Sequence, residues 1–186
     1  YFQKQILIHH YKYLVLFYKI CSPYCRGINS YYSDISMKKN FKLSRVLPYD
    51  HILVFEHIAD FERYDQYLPF CISSRSLETD NTSFSQIGEL EFEIAGVNYK
   101  IKSGNIIEDQ RILITQIKGP FEDMKASWDV EKLDNGSCKI SFEANAELSY
   151  FLGVLVNDST IEKFTNVFLQ SFVDDLDARI KKQKAH

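Results

Sequence analysis

Between residues 71 and 148, apolar and polar residues alternate with the period of two that is typical of half-buried antiparallel strands. The segment 83–94 shows this most clearly, because its even positions are mainly apolar and its odd positions carry three glutamates. The segment 138–148 repeats the pattern after Asn135-Gly136, a dipeptide that favours a tight hairpin turn. The pattern predicts a series of about six antiparallel strands with one apolar and one solvated face.

Helical spacing replaces this alternation in two parts of the chain. Residues 51–59 follow Asp50, a suitable N-cap, and residues 61–68 form a second short segment that ends before Pro69. The last segment has an apolar stripe at three- and four-residue spacing, made of Ile161, Phe164, Phe168, Phe172, Leu176 and Ile180. A strand over 41–47 precedes the first helix. We therefore predict an α+β fold in which a curved antiparallel sheet of about six to seven strands is closed by a long C-terminal helix.

Charge divides the chain near Phe41. Residues 1–40 carry six basic residues and one acid, whereas the remainder carries 16 basic and 24 acidic residues, so that the net charge of 41–186 is −8. The first 40 residues are also rich in hydroxyl side chains and contain no uninterrupted apolar run long enough to span a bilayer. We expect 1–40 to be an N-terminal extension with a mitochondrial targeting role and 41–186 to be the folded domain.

The overall composition is that of a globular protein, and it excludes extensive disorder. Its unusual feature is an aromatic content of 15%, with 14 Phe and 12 Tyr among 186 residues. This content allows an apolar cavity but is equally compatible with an ordinary core. The cysteines Cys21, Cys25, Cys71 and Cys138 do not have the spacing of a metal site or of a disulfide framework, so neither is expected.

One group of residues resembles a known family. Tyr64-x-x-Tyr67-Leu68-Pro69-Phe70-Cys71-x-x-Ser74 is similar to a motif of the coenzyme Q-binding branch of the START-like, or polyketide cyclase-like, superfamily. Shorter matches support it over about 41–179; they are Val46-Leu47-Pro48-Tyr49, Val54-Phe55, Ile58-Ala59-Asp60, Gly119-Pro120-Phe121 and Trp128-x-Val130. The chain departs from the family at Phe70, where Trp is usual, and at Val130, where Phe is usual. Both substitutes are apolar, so they affect the shape of a cavity more than the fold.

The resemblance implies a helix-grip (START/Bet v 1-like) fold with a hydrophobic tunnel. It further implies that the chain binds ubiquinone or its precursors at the matrix side of the mitochondrial inner membrane, as a carrier or chaperone for respiration and coenzyme Q biosynthesis. The partners would then be the quinone, the membrane surface and proteins of the respiratory chain or of quinone biosynthesis, with no nucleic acid. Neither a catalytic residue nor a cofactor other than the bound ubiquinone is expected.

Eight residues are the predicted lining of the tunnel, although each of them equally fits an ordinary core. They are Phe55, Leu90, Phe92, Tyr99, Trp128, Phe142, Phe164 and Phe168. Tyr99 and Trp128 have side-chain donors that suit a quinone carbonyl. The apolar segment 150–156 is a candidate for membrane contact or for a gate, and it also fits helix–sheet packing.

Two other functions are compatible with the resemblance. A ribosome-binding inhibitor of translation requires a basic surface, for which Lys100, Lys102, Lys118 and Lys125 are the candidates, although the charge of the domain argues against it. An enzyme of the cyclase type requires acid–base groups, for which the first helix supplies only His51, Glu56 and His57. The sequence predicts that both histidines lie on exposed faces of that helix.

Overall fold

The computed structural model describes residues 36–78, 83–94, 97–149 and 158–184. The chain forms β1 (Ser36–Leu47), α1 (His51–Ala59), α2 (Tyr64–Tyr67), β2 (Cys71–Leu77), β3 (Gln86–Ile94), β4 (Val97–Glu108), β5 (Arg111–Lys118), β6 (Asp123–Lys132), β7 (Cys138–Ser149) and α3 (Asp158–Lys184). Short 3₁₀ turns lie at Phe61–Arg63 and Asp134–Gly136. The α+β fold expected from the pattern is confirmed, as is the helix-grip fold that the resemblance implies. The predicted targeting segment and the segment 150–156 lie outside the described residues, apart from the start of β1.

The sheet has seven antiparallel strands in the order β1-β7-β6-β5-β4-β3-β2. Strands β2 to β7 form a meander in sequence order, and β1 adds to its far edge by pairing with β7 from Ser36↔Ser149 to Leu47↔Cys138. Because β1 and β2 lie at opposite edges, α1 and α2 cross between them. The first strand begins at Ser36, upstream of the change in charge near Phe41.

The two faces of the sheet differ as the alternation predicts. The inner face is the one covered by the helices, and on β7 it carries Cys138, Ile140, Ala144, Ala146 and Leu148, all buried. The outer face carries cross-strand ion pairs of the kind that link Arg75, Glu89 and Lys100. Hydrogen bonding to the Arg75 guanidinium holds the pKa of Glu89 below its usual range.

The start of β3 differs from the one that the alternation predicts. The strand begins at Gln86, not at Ser83, and Phe84 packs on the outer face over Gly104. A Cβ atom at position 104 would lie 2.4 Å from the Phe84 ring, so only glycine permits this contact. Ile87, opposite Gly104 on the same outer face, is consequently buried. The predicted alternation over 83–94 places Phe84 on one face with the other even positions, and this is wrong because the residue precedes the strand.

Local signals at the ends of the elements are confirmed. The Asp50 carboxylate caps α1 by accepting a hydrogen bond from the Ile52 amide at 2.9 Å. Asn135 and Gly136 both have positive φ, at 70° and 71°, and turn the chain from β6 into β7. The turn is longer than two residues, because the Leu133 amide bonds to the Ser137 carbonyl across it.

Two apolar clusters fill the space between sheet and helices. The larger one joins α1 and α3 to β1, β6 and β7 and includes Val54, Ile140, Phe172 and Leu176, each at most 1% exposed. The smaller one contains Phe61, Tyr64, Leu68 and Cys71. We call the end of the sheet with the β4–β5 and β6–β7 turns the lower end, and the end with the β5–β6 loop and the start of α3 the upper end.

Candidate functional site

The lower half of the inner face is packed solid. Trp128 is 5% exposed, and its ring lies 4.7 Å from the Phe142 ring, 6.2 Å from that of Phe168 and 6.5 Å from that of Phe172. Such distances are those of aromatic rings in direct or near contact. Trp128 therefore serves as core in this conformation.

On the upper half of the inner face, three of the four paired side chains of β6 and β7 are alanine, and we call this surface the alanine floor. Ala126 pairs with Ala144 across β6 and β7, and Met124 pairs with Ala146. Because alanine projects only a methyl group, the side chains here extend less far from the sheet than the aromatic rings of the lower half do. Glu162, Thr165 and Asn166 of α3 lie beside Phe41 of β1, the cross-strand partner of Ala144. If the fold holds an elongated apolar molecule, the alanine floor is where the sheet makes room for it.

An opening lies beside this floor, between the edge strand β1 and α3. Its volume is about 410 Å³, which falls within the range of small-molecule sites. Three of its lining side chains are apolar: Phe41, Leu43 and Phe142. The remaining lining residues are polar; they are Asn40, Lys42, Ser44, Glu162, Thr165 and Asn166. The opening thus combines apolar lining with polar lining from both β1 and α3.

The predicted lining residues are distributed over several environments. Phe142 lines the opening, whereas Phe55 packs against the larger cluster, and Leu90 and Phe92 pack against the smaller one. Phe168 contacts both clusters. Tyr99 is half-buried opposite Phe92. The side chain of Phe164 lies outside the described residues.

Sequence reasoning missed Phe41 and Leu43. The alternation of β1 is visible in the sequence, but pairing with β7 is what places these two side chains beside Phe142. A strand that precedes the helices carries no signal of which sheet edge it will join.

The family-like motif stabilises the packing of β2 and of the two short helices against one another. The Ser74 hydroxyl donates to the Glu62 carbonyl at 2.9 Å and accepts from the Asp65 amide at 3.1 Å, which ties β2 to the helical turn. The Tyr64 hydroxyl donates to the Ile58 carbonyl at 2.7 Å and so anchors α2 to α1. These hydrogen bonds give the spacing of tyrosine and serine in the motif a structural cause.

His57 lies at the junction of the three helices. It is 2% exposed, so the prediction of an exposed histidine is wrong. Its ring stacks on Tyr67 at 5.2 Å and packs against Phe172 at 4.5 Å. Burial, together with the nearby Arg179 guanidinium, lowers the pKa of His57 to about 4, so the imidazole is neutral near pH 7.

A charged network closes the same junction. Arg179 of α3 donates to Asp60 at 3.1 Å and to Asp175 at 2.9 Å. The Asp175 carboxylate lies 3.6 Å from His57 Nε2, beyond hydrogen-bond distance. The network holds the C-terminal half of α3 against Asp60 at the end of α1.

The other candidate groups are also accounted for. His51 is 9% exposed, beside the Asp50 carboxylate at 3.4 Å, so its predicted exposure is wrong as well, whereas Glu56 faces solvent. Within the described ranges, no cluster of three His, Cys, Asp or Glu side chains is placed to hold a metal ion. No described helix has the length and apolarity needed to cross a bilayer.

The four lysines of the candidate basic surface lie in two different environments. Lys100 forms ion pairs with Glu89 and Glu91 and so belongs to the outer-face network. Lys102 faces Lys118 across β4 and β5, and Lys125 is on the adjoining strand. These last three lysines form no ion pair with the described part of the chain.

Comparison with known proteins places this architecture among relatives. The chain is 27% identical to the ribosome association toxin RatA of Rickettsia prowazekii over 129 residues, which cover 67% of the chain and 81% of the relative. It is 21% identical to the mitochondrial coenzyme Q-binding protein coq10 of Schizosaccharomyces pombe over 145 residues, 76% of the chain and 87% of the relative. Both relatives are thus matched over most of their length.

A solved structure and a family model complete the comparison. The Zhui aromatase/cyclase from a Streptomyces species superposes with a TM-score of 0.66 at 16% identity, over 77% of the chain and 96% of that protein, and so shares its fold. The model of the family described as "Polyketide cyclase / dehydrase and lipid transport" matches residues 47–173, more than half of the chain. The chain therefore belongs to the polyketide cyclase/dehydrase and lipid transport family.

Proposed function

We propose that this protein is a non-catalytic carrier of ubiquinone or of a polyprenyl quinone precursor. The apolar tail of the ligand enters between β1 and α3 and lies over the alanine floor. The observation that carries the proposal is the opening in which Phe41, Leu43 and Phe142 form an apolar side next to Ala144, because an apolar tail can enter there past a polar rim. The family description, which includes lipid transport, and the coenzyme Q-binding relative support the same ligand class.

The energetics favour a polyprenyl tail. Burial of apolar surface yields about 25 cal/mol per Å², so a tail that buries roughly 300 Å² gains about 7 kcal/mol before the cost of association. That gain requires no specific polar contact. Binding over small side chains would accept tails of different length. The polar residues at the opening would not contact the apolar tail.

The direct experiment is extraction of lipid from protein purified from a quinone-producing host. We expect quinone, identified by its ultraviolet spectrum and its mass, at a substantial fraction of the protein concentration. Only mixed phospholipid in the extract would contradict the proposal.

A substitution tests the location. Ala144→Phe raises the floor, so we expect a folded protein with strongly reduced quinone content. The matched control is Asn145→Phe, the next residue of β7, which is exposed on the outer face. If Ala144→Phe unfolds the protein, the space over the floor is filled by side chains and the proposed location is wrong.

The location in the cell follows from the ligand. We propose the matrix side of the mitochondrial inner membrane, with respiratory or quinone-synthesising proteins as acceptors. The basic, acid-poor composition of residues 1–40 supports import, and the yeast relative carries the description mitochondrial. Fractionation of cells that express the full chain tests this, and a signal outside mitochondria would refute it.

Ribosome association is the second candidate, because the Rickettsia relative bears that name and Lys102, Lys118 and Lys125 form no ion pair within the described ranges, although Lys102 stands opposite Glu89. The net charge of −8 over 41–186 disfavours binding to RNA phosphates. Sedimentation of the purified protein with ribosomes separates the two functions: a carrier stays in the supernatant at physiological salt. Cosedimentation that weakens as salt is raised would favour the second candidate.

A further inference from the structure

A row of paired residues crosses the inner face of the sheet, starting at the opening between β1 and α3. Phe41 of β1 lines the opening and pairs with Ala144, which pairs with Ala126 of β6. Ala126 in turn pairs with Ile114 of β5, and Ile114 pairs with Asn105 of β4. Four strand spacings of about 4.8 Å separate Phe41 from Asn105, which gives about 19 Å. An elongated molecule that enters at the opening and crosses the alanine floor therefore points toward Asn105.

Asn105 is polar, whereas the other members of this row are apolar. It is 7% exposed, and its Oδ1 atom is buried without a hydrogen-bond donor among the residues that the structure describes. Such an oxygen destabilises the fold, because it has lost its hydrogen bonds to water and has gained none in return. Leucine has nearly the same shape and would avoid that loss. The described contacts therefore give no structural reason for asparagine at this position.

A second buried amide lies diagonally across from the first. Gln116 of β5 pairs with Ser103, two residues before Asn105 on β4. Its Nε2 atom donates to the Phe121 carbonyl at 2.8 Å, which fixes the orientation of the amide. Its Oε1 atom is buried, again with no donor in the described ranges. Diagonal neighbours across two strands are roughly 7–8 Å apart, so one substituted ring can reach both amide oxygens.

The two oxygens select the chemistry of the group that meets them. A quinol has hydroxyl groups on opposite sides of its ring, and each hydroxyl can donate to an amide oxygen. The oxidised quinone has only carbonyl oxygens there, which are acceptors and cannot satisfy another acceptor. We propose that Asn105 and Gln116 bind the head group of the carried molecule in its reduced, quinol form. This inference rests on the proposed function and adds the position and the redox form of the head group.

The test is calorimetric titration of the full chain, without oxygen, with a short-tailed ubiquinone analogue in its reduced and oxidised forms. We expect the parent to bind the reduced form about tenfold more tightly. Asn105→Leu should lose most of that preference, and Gln116→Met should reduce it, because neither new side chain has an amide oxygen. The matched control is Asn98→Leu. Asn98 lies on the same strand but is exposed on the outer face, where it donates to Glu91.

Thermal unfolding separates a binding role from a structural one. An amide that lacks a partner in the fold should be replaceable, so Asn105→Leu should have a melting temperature at or above that of the parent. A large decrease would mean that the amide is hydrogen-bonded within the fold, and it would overturn the inference. Gln116→Met also removes the hydrogen bond to the Phe121 carbonyl, so it is judged by the ratio of the two affinities, which partial unfolding alone would not change.

Two binding results would overturn the inference and leave the proposed function in place. They are equal binding of both forms by a parent that carries quinone after purification, and an unchanged ratio of affinities in Asn105→Leu. The proposed function fails on a different result. A parent that binds neither form and carries no quinone after purification contradicts the carrier itself.

Discussion

Acidification should destabilise this protein through His57. The imidazole is buried among aromatic rings and neutral in the folded state, with a pKa lowered from its ordinary 6.5 to about 4. The unfolded chain binds a proton near pH 6.5, whereas the folded protein resists protonation until about pH 4. Lowering the pH through this window therefore favours the unfolded state.

The size of the effect follows from the two pKa values. One pKa unit corresponds to about 1.4 kcal/mol, so the complete change is worth about 3 kcal/mol below pH 4. At pH 5 the loss relative to pH 7.5 is about 2 kcal/mol. This is a large part of the stability of a typical domain, which lies at about 5–15 kcal/mol.

Urea unfolding at pH 7.5, 6 and 5 measures this loss as a shift in midpoint. Carboxylates also titrate toward the acid end, so the parent is compared with His57→Gln and His57→Phe, which cannot take up the proton. Both variants should lose about 2 kcal/mol less than the parent over this range. The matched control is His51→Gln, which changes the other histidine of α1 and leaves His57 in place. Identical pH dependence in the parent and both His57 variants would refute the reasoning.

Two further substitutions test how the fold holds the site. Ser74→Ala leaves the Glu62 carbonyl and the Asp65 amide without their shared partner, so the free energy of unfolding measured with denaturant should fall by about 1–3 kcal/mol. A decrease below experimental error would show that water replaces the hydroxyl. Gly104→Val brings side-chain atoms into steric conflict with the Phe84 ring, so it should lower the melting temperature. Adding Phe84→Ala to the same chain should restore part of that decrease, and no restoration would mean that the ring is not the cause of the conflict.

The helix junction and the opening have different roles. His57, Tyr67, Asp175 and Arg179 hold the C-terminal half of α3 to the short helices through stacking and charge. No such network joins the opening's α3 residues Glu162, Thr165 and Asn166 to β1 within the described part of the chain. Any movement that admits a ligand is therefore easier at the start of α3 than at its end, in agreement with the position of the opening.

Local pattern was sufficient for the element types. The N-cap at Asp50, the hairpin at Asn135-Gly136 and the stripe that ends at Ile180 depend on neighbours within a few residues, so the printed sequence contains their causes. The inner and outer faces of β7 could be read for the same reason. The family followed from the motif that ends at Ser74, whose hydrogen bonds are also short-range.

Tertiary structure decided everything that depends on distant strands. The pairing of β1 with β7 brings Phe41 to the opening, and the packing of Phe84 on Gly104 removes that ring from the inner face. Burial of His57 arises because α3 returns across α1 after the whole sheet has intervened. Hydrophobic periodicity predicts which side of a helix or strand is buried. It does not predict which other element packs against that side, or how tightly.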